Sequence, residues 1–176
     1  MLKITPFLLF FFVMQFSLDY RYNDCEKNEN NMVQGTIQLS GEEALQLGTS
    51  LTVAYIEVAN TSLTGTDKSV MLLSDNIRVE NNELVFDESK QSGFVIVASD
   101  FSTDASLDTE KAISMNITRD GQEYLYACSS PFRNFFIACG ESYVVDFEAE
   151  TVTFENTTVI NTDNDKVLTL DGSISW

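Results

Sequence analysis

Asp120-Gly121 stands between two runs in which apolar and polar residues alternate, 112–119 before it and 122–128 after it. Asp-Gly is among the strongest short signals for a two-residue type I′ turn, because both central residues must take positive φ. Pairing outward from the turn sets Arg119 opposite Gln122, Ile117 opposite Tyr124, Met115 opposite Tyr126 and Ile113 opposite Cys128. The large apolar groups then share one face. Ser114, Asn116, Thr118, Glu123 and Ala127 share the other, with Leu125 the only large apolar residue among them. A slip of one residue would turn one strand's apolar set to the wrong side, so the pattern specifies its own register.

The rest of the chain carries the same grammar. Residues 33–40 alternate, with Val33, Ile37 and Leu39 on one face. Ser40 and Glu43 have capping-box spacing and Gly48 supplies a stop, which predicts at most one short helix near residues 41–47. The run LTVAYIEV at 51–58 is apolar on both faces and predicts a central strand, and GFVIVA at 93–98 predicts another. A polar turn, NTSLTGTDK, separates the first of these from a strand at 69–74. Asn81-Asn82 predicts a tight turn between strands at 77–80 and 83–87, since asparagine tolerates positive φ. Alternation at 143–147 and 151–154 changes phase before Val159, which predicts a bulge near 156–158. The last strand, 167–176, aligns Leu168, Leu170, Ile174 and Trp176.

About ten strands at short spacing, with almost no helix, predict an all-β fold: an antiparallel two-sheet β-sandwich, or alternatively a flattened β-barrel. The single tryptophan follows all the cysteines, so the immunoglobulin order of Cys, Trp, Cys is absent. No internal linker or tandem repeat divides residues 33–176, which read as one domain. Ahead of it, 1–18 is a nearly unbroken apolar segment after one lysine. It is too short to span a bilayer comfortably and suits a secretory signal without a clear cleavage site, with an uncleaved N-terminal anchor as the alternative. Residues 19–32 are polar and asparagine-rich and read as a flexible lead-in. The expected location is therefore secreted, periplasmic or cell-surface.

Charge and composition exclude whole classes of chemistry. A net charge of −17, with ten basic residues against 27 acidic, leaves no patch for nucleic acid or for an anionic membrane surface. The chain has no histidine, which removes Ser-His-Asp and Cys-His catalysis, imidazole metal sites and histidine general bases. Three cysteines cannot complete an all-cysteine zinc site. No catalytic, cofactor or metal residues are assigned.

Export favours a disulfide, and Cys128 with Cys139 is the expected pair, leaving Cys25 over. Were 128 and 135 to flank a tight hairpin, Cys139 would lie roughly 13 Å further on, beyond disulfide reach. If residues 124–128 instead pair with 143–147, the chain between forms an Ω-like loop and the two cysteines meet at its base. That loop holds Phe132, Arg133, Phe135 and Phe136. They either fold back as a plug over the end of the sheet or face a protein or glycan partner.

Three acidic groupings read as solvated surface: Asp163, Asp165 and Asp171; Asp100, Asp104 and Asp108; and Asp146, Glu148 and Glu150. The first lacks the glycine and terminal glutamate of an EF-hand loop. Asn60-Thr61-Ser62, Asn116-Ile117-Thr118 and Asn156-Thr157-Thr158 match the N-glycosylation pattern. The expectation is an exported, non-catalytic β module serving a surface, adhesion or assembly role. The alternative is an extracellular ligand-binding module for carbohydrate or calcium, with a carboxylate-pair hydrolase a distant third.

Overall fold

The computed structural model describes residues 35–101, 109–131, 137–140 and 143–176. The stretches expected to be a signal segment (1–18) and a lead-in (19–32), together with Cys25, lie outside the described residues. In chain order the elements are β1 (Gly35–Gly41), α1 (Ala44–Leu47), β2 (Ser50–Val53), β3 (Tyr55–Val58), α2 (Thr61–Thr64), β4 (Ser69–Leu73) and β5 (Ile77–Glu80). They continue with β6 (Glu83–Phe86), β7 (Gly93–Asp100), β8 (Lys111–Arg119), β9 (Gln122–Ser130), β10 (Val144–Asp146), β11 (Thr151–Asn161) and β12 (Val167–Ser175).

The Asp-Gly hairpin forms in the register its pattern dictates, with Ile117 opposite Tyr124, Met115 opposite Tyr126 and Ile113 opposite Cys128. Asp120 and Gly121 take φ values of 51° and 79°, both in the left-handed region that the turn demands. Asn81 and Asn82 do the same at 53° and 61°, joining β5 to β6. The predicted bulge is also present. The pairing of β11 with β12 shifts between Phe154 and Thr157, where Asn156 has a φ of 48°.

The strands build one antiparallel sheet, in the order β2-β1-β12-β11-β9-β8-β7-β4-β3, with β10 added beside β11. This sheet curls until nearly closed into a barrel, so the barrel alternative describes it and the two-sheet sandwich does not. The closing device is the run 51–58. Its first half, β2, pairs with β1 and its second half, β3, pairs with β4, so one stretch supplies both ends of the sheet. The break falls at Ala54, whose N–H donates to the carbonyl of Leu73 at 2.9 Å. Val53 points into the main core, Tyr55 joins a second cluster outside the sheet, and Ile56 returns to the main core. The run is apolar on both faces because its inward face changes at Ala54. The expected uninterrupted central strand is therefore corrected to two four-residue end strands.

The second cluster lies under the β5–β6 hairpin, a separate two-strand sheet. Met71 and Leu73 on the outer face of β4 pack there with Ile77 and Val79, while Val70 and Leu72 face the main core. All of β4 is consequently buried. β7 is central as expected, held between β4 and β8. The expectation of at most one short helix is corrected too. The stretch read as a polar turn contains α2, because the side-chain oxygen of Asn60 accepts from Leu63 N–H at 3.3 Å and Gly65 ends the turn at a φ of 76°.

Cys128 and Cys139 form a disulfide, with Cα atoms 5.0 Å apart. The frame around it differs from the expected one. β10 pairs with β11 and not with β9, whereas β9 meets β11 only at Ala127 and Tyr126. Beyond that point β9 and β11 separate, and residues 137–139 lie between them. Ser129 N–H donates to Ile137 O at 3.0 Å, and the Thr158 hydroxyl donates to Ala138 O at 2.9 Å. Both cysteines are buried. Replacing both with alanine is expected to lower stability by about 2–4 kcal/mol, read as a lower urea midpoint than that of the oxidised parent.

Candidate functional site

The most elaborate polar cluster among the described residues sits where α1 covers one end of the sheet. Ala44 and Leu47 point into the main core from this single turn, and Glu43 precedes it. The capping-box reading of Glu43 is corrected: its side chain makes no cap and turns inward, where only 4% of it is exposed. Oε2 accepts from the Tyr126 hydroxyl at 2.6 Å and from Asn161 Nδ2 at 2.9 Å. Oε1 accepts from Asn164 Nδ2 at 2.9 Å, and Lys166 Nζ stands 3.6 Å away. Beside this set, Gln46 Nε2 donates to the Tyr124 hydroxyl.

Three parts of the chain converge here: the β1–β2 connection, the inward face of β9, and the turn from β11 to β12. Tyr126 points inward because the hairpin register requires it. Asn161 ends β11, and its Oδ1 accepts from Asp163 N–H at 2.9 Å, which holds the turn that presents Asn164. Burial opposes ionisation of Glu43. The hydrogen bonds from Tyr126, Asn164 and Asn161, with the charge of Lys166, overcome it and hold the carboxyl below its ordinary value. Burial, reinforced by the bond to Glu43, pushes the Tyr126 hydroxyl well above its own. An ionised carboxylate facing a phenol, two amides and an ammonium is chemically settled, since its oxygens are committed to donors already in place.

A second feature is a surface groove of about 400 Å3 on the outer side of β7, β8 and β9. Its lining is small and mainly apolar, with Val97, Ala112, Ser114 and Ala127 among the residues. Ser129 also lines it, and its hydroxyl oxygen is buried with no hydrogen-bond partner among the described residues.

Two of the grouped acids are spent on local structure. Asp146 Oδ1 accepts from Glu148 and Ala149 N–H, which shapes the turn before β11. Asp171 Oδ1 accepts from Asn156 N–H at 2.7 Å, which supports the bulge. Asp104 and Asp108 lie outside the described residues. Among the described residues no three acids or cysteines converge as a metal site. Phe132, Arg133, Phe135 and Phe136 also lie outside the described residues. Glu43 is not legible as a centre in the sequence because its partners lie 83, 118 and 121 residues away, and no local spacing carries such a relation.

The fold and this cluster define the class: an all-β protein with one nearly closed antiparallel sheet, plugged at one end by a polar-anchored helical turn. No protein-family model matches the chain, and no curated protein or solved structure matches it significantly.

Proposed function

We propose that this chain is an exported, non-catalytic β-barrel module that acts at a surface, in adhesion or in assembly. The supporting observation is the state of Glu43. The most buried acid in the described structure is held ionised by donors that also anchor α1, which is the arrangement of a structural brace. A general acid needs a carboxyl whose proton is available near working pH, and a lowered pKa removes it. The disulfide suits an oxidising compartment, and the charge of −17 suits solubility outside the cell and disfavours nucleic acid and anionic lipid. Its partners are then proteins or glycans.

The experiment joins location to activity. Cells expressing the full chain are fractionated, and the purified protein is assayed on glycoside, ester and peptide substrates. The expected result is oxidised protein in the exported fraction, with no turnover. Turnover that disappears in Glu43→Gln would overturn the non-catalytic reading.

The groove over β7, β8 and β9 favours a second reading, a ligand-binding module for carbohydrate. Its apolar floor and its buried Ser129 hydroxyl are the supporting features. Glycan-array retention that falls on Ala127→Arg would favour this reading over the first.

A further inference from the structure

The fold treats the three Asn-X-Ser/Thr sequences differently. Asn60 is half-buried, and its side chain caps α2 through Leu63 N–H. Asn116 lies inside β8, a strand paired along its whole length with β7 on one side and β9 on the other. Val95 and Leu125 stand directly across from it, and its side-chain oxygen is buried with no hydrogen-bond partner among the described residues.

Asn156 has the opposite setting. It occupies the bulge of β11, where the register against β12 shifts, so the chain turns two consecutive residues, Glu155 and Asn156, to solvent. A φ of 48° suits asparagine better than almost any other residue with a side chain, and the Asp171 carboxylate satisfies its N–H at 2.7 Å. The backbone is therefore held in place without help from the Asn156 amide. The following Thr157 is fully buried and ties the bulge to the core, and Thr158, the hydroxyl residue of the acceptor pattern, bonds Ala138 O.

We propose that Asn156 is an N-glycosylation site and that Asn116 is not. The inference rests on the exported reading above, because the modification occurs on chains that enter a secretory pathway. The bond that forms joins the Asn156 side-chain nitrogen to the anomeric carbon of an oligosaccharide. The lipid pyrophosphate carrier leaves and the amide proton is released. Transfer takes place on unfolded chain, so the fold decides which glycan is compatible with the native state. A glycan on Asn156 stands off a bulge that already faces water. Asn116 is half-buried, with its side-chain oxygen sealed and Val95 and Leu125 on either side, so a glycan there must be fitted into the middle of a three-strand array, and such chains fail to reach the folded state.

The test uses the full chain in eukaryotic secretory cells, once with its own N-terminus and once behind a leader that enters the endoplasmic reticulum independently. Peptide mapping after enzymatic deglycosylation in heavy-oxygen water marks each formerly occupied asparagine. The expected result is Asn156 marked and Asn116 unmarked in the secreted protein. Thr158→Ala should abolish the mark and Thr158→Ser retain it, which keeps the test independent of whether Asn156→Gln folds. Unmodified Asn156 in protein secreted behind the added leader, or marked Asn116 in folded secreted protein, overturns the proposal. Failure to reach the medium only with the chain's own N-terminus, with Asn156 marked in the other arm, supports the site and counts against export.

Discussion

Replacing Glu43 with alanine is expected to destabilise the protein by about 2–5 kcal/mol, measured as a lower urea midpoint at unchanged m-value. The loss exceeds that of one hydrogen bond because three donors lose their acceptor together. Tyr126 and Asn161 are themselves buried, so their freed polar groups have no water to turn to. α1 also loses its tether, and Ala44 and Leu47 leave the core with it. Lys166 contributes little of this, since it is 43% exposed and its charge is screened. Glu43→Gln keeps an acceptor oxygen and should cost clearly less.

The same residue gives a pH signature with a definite sign. The folded-state pKa of Glu43 lies below its ordinary value of 4.5, so its contribution is fully present above that value. It is lost as pH falls through the lowered folded-state value. The stability gap between the parent and Glu43→Gln should therefore be constant near neutrality and shrink on acidification below about pH 4.5. Taking the difference between two proteins removes the background from the other acids, which protonate in both. A gap that stays constant down to about pH 2.5 would refute the ionised brace.

Phe154→Ala is the second large effect, at about 3–5 kcal/mol. Phe154 is buried and stacks on Tyr143, with ring centroids 5.8 Å apart and planes within 10°. The Tyr143 hydroxyl donates to Ser99 O at 3.2 Å, and Lys111 lies over its ring at 5.9 Å. Deleting the Phe154 ring empties one side of that arrangement next to the bulge, where the pairing of β11 is already interrupted. Collapse into the space is resisted by the fixed tyrosine, so the cavity penalty adds to the lost burial. Phe154→Leu should recover more than half of the loss. A cost below about 1 kcal/mol for alanine would show that Phe154 packs more loosely than this geometry states.

How far the molecule can be read from its residues depends on the range of each relation. The Asp-Gly hairpin, the Asn-Asn turn and the β11 bulge are legible because each is encoded by neighbours a few residues apart. The disulfide is legible as a pair, but not its surroundings, because whether β9 adjoins β10 or β11 is a contest among similar alternating strands. The run 51–58 misleads because an apolar residue at nearly every position looks alike in a doubly covered strand and in a strand that changes face midway. Glu43 reads as a local cap because a capping box and a buried anchor share the same residue type and spacing.

Local sequence thus determined the β class, the hairpin registers, the bulge and the two cysteines that join. Those features rest on backbone preferences and on the two-residue alternation of a strand, which neighbouring residues specify among themselves. The closing of one sheet by a single broken strand, and the convergence of Tyr126, Asn161 and Asn164 on Glu43, were decided only in the tertiary structure. Strand order and buried polar partnership are settled by competition across the whole chain, where the free energy of one pairing depends on every other pairing already made.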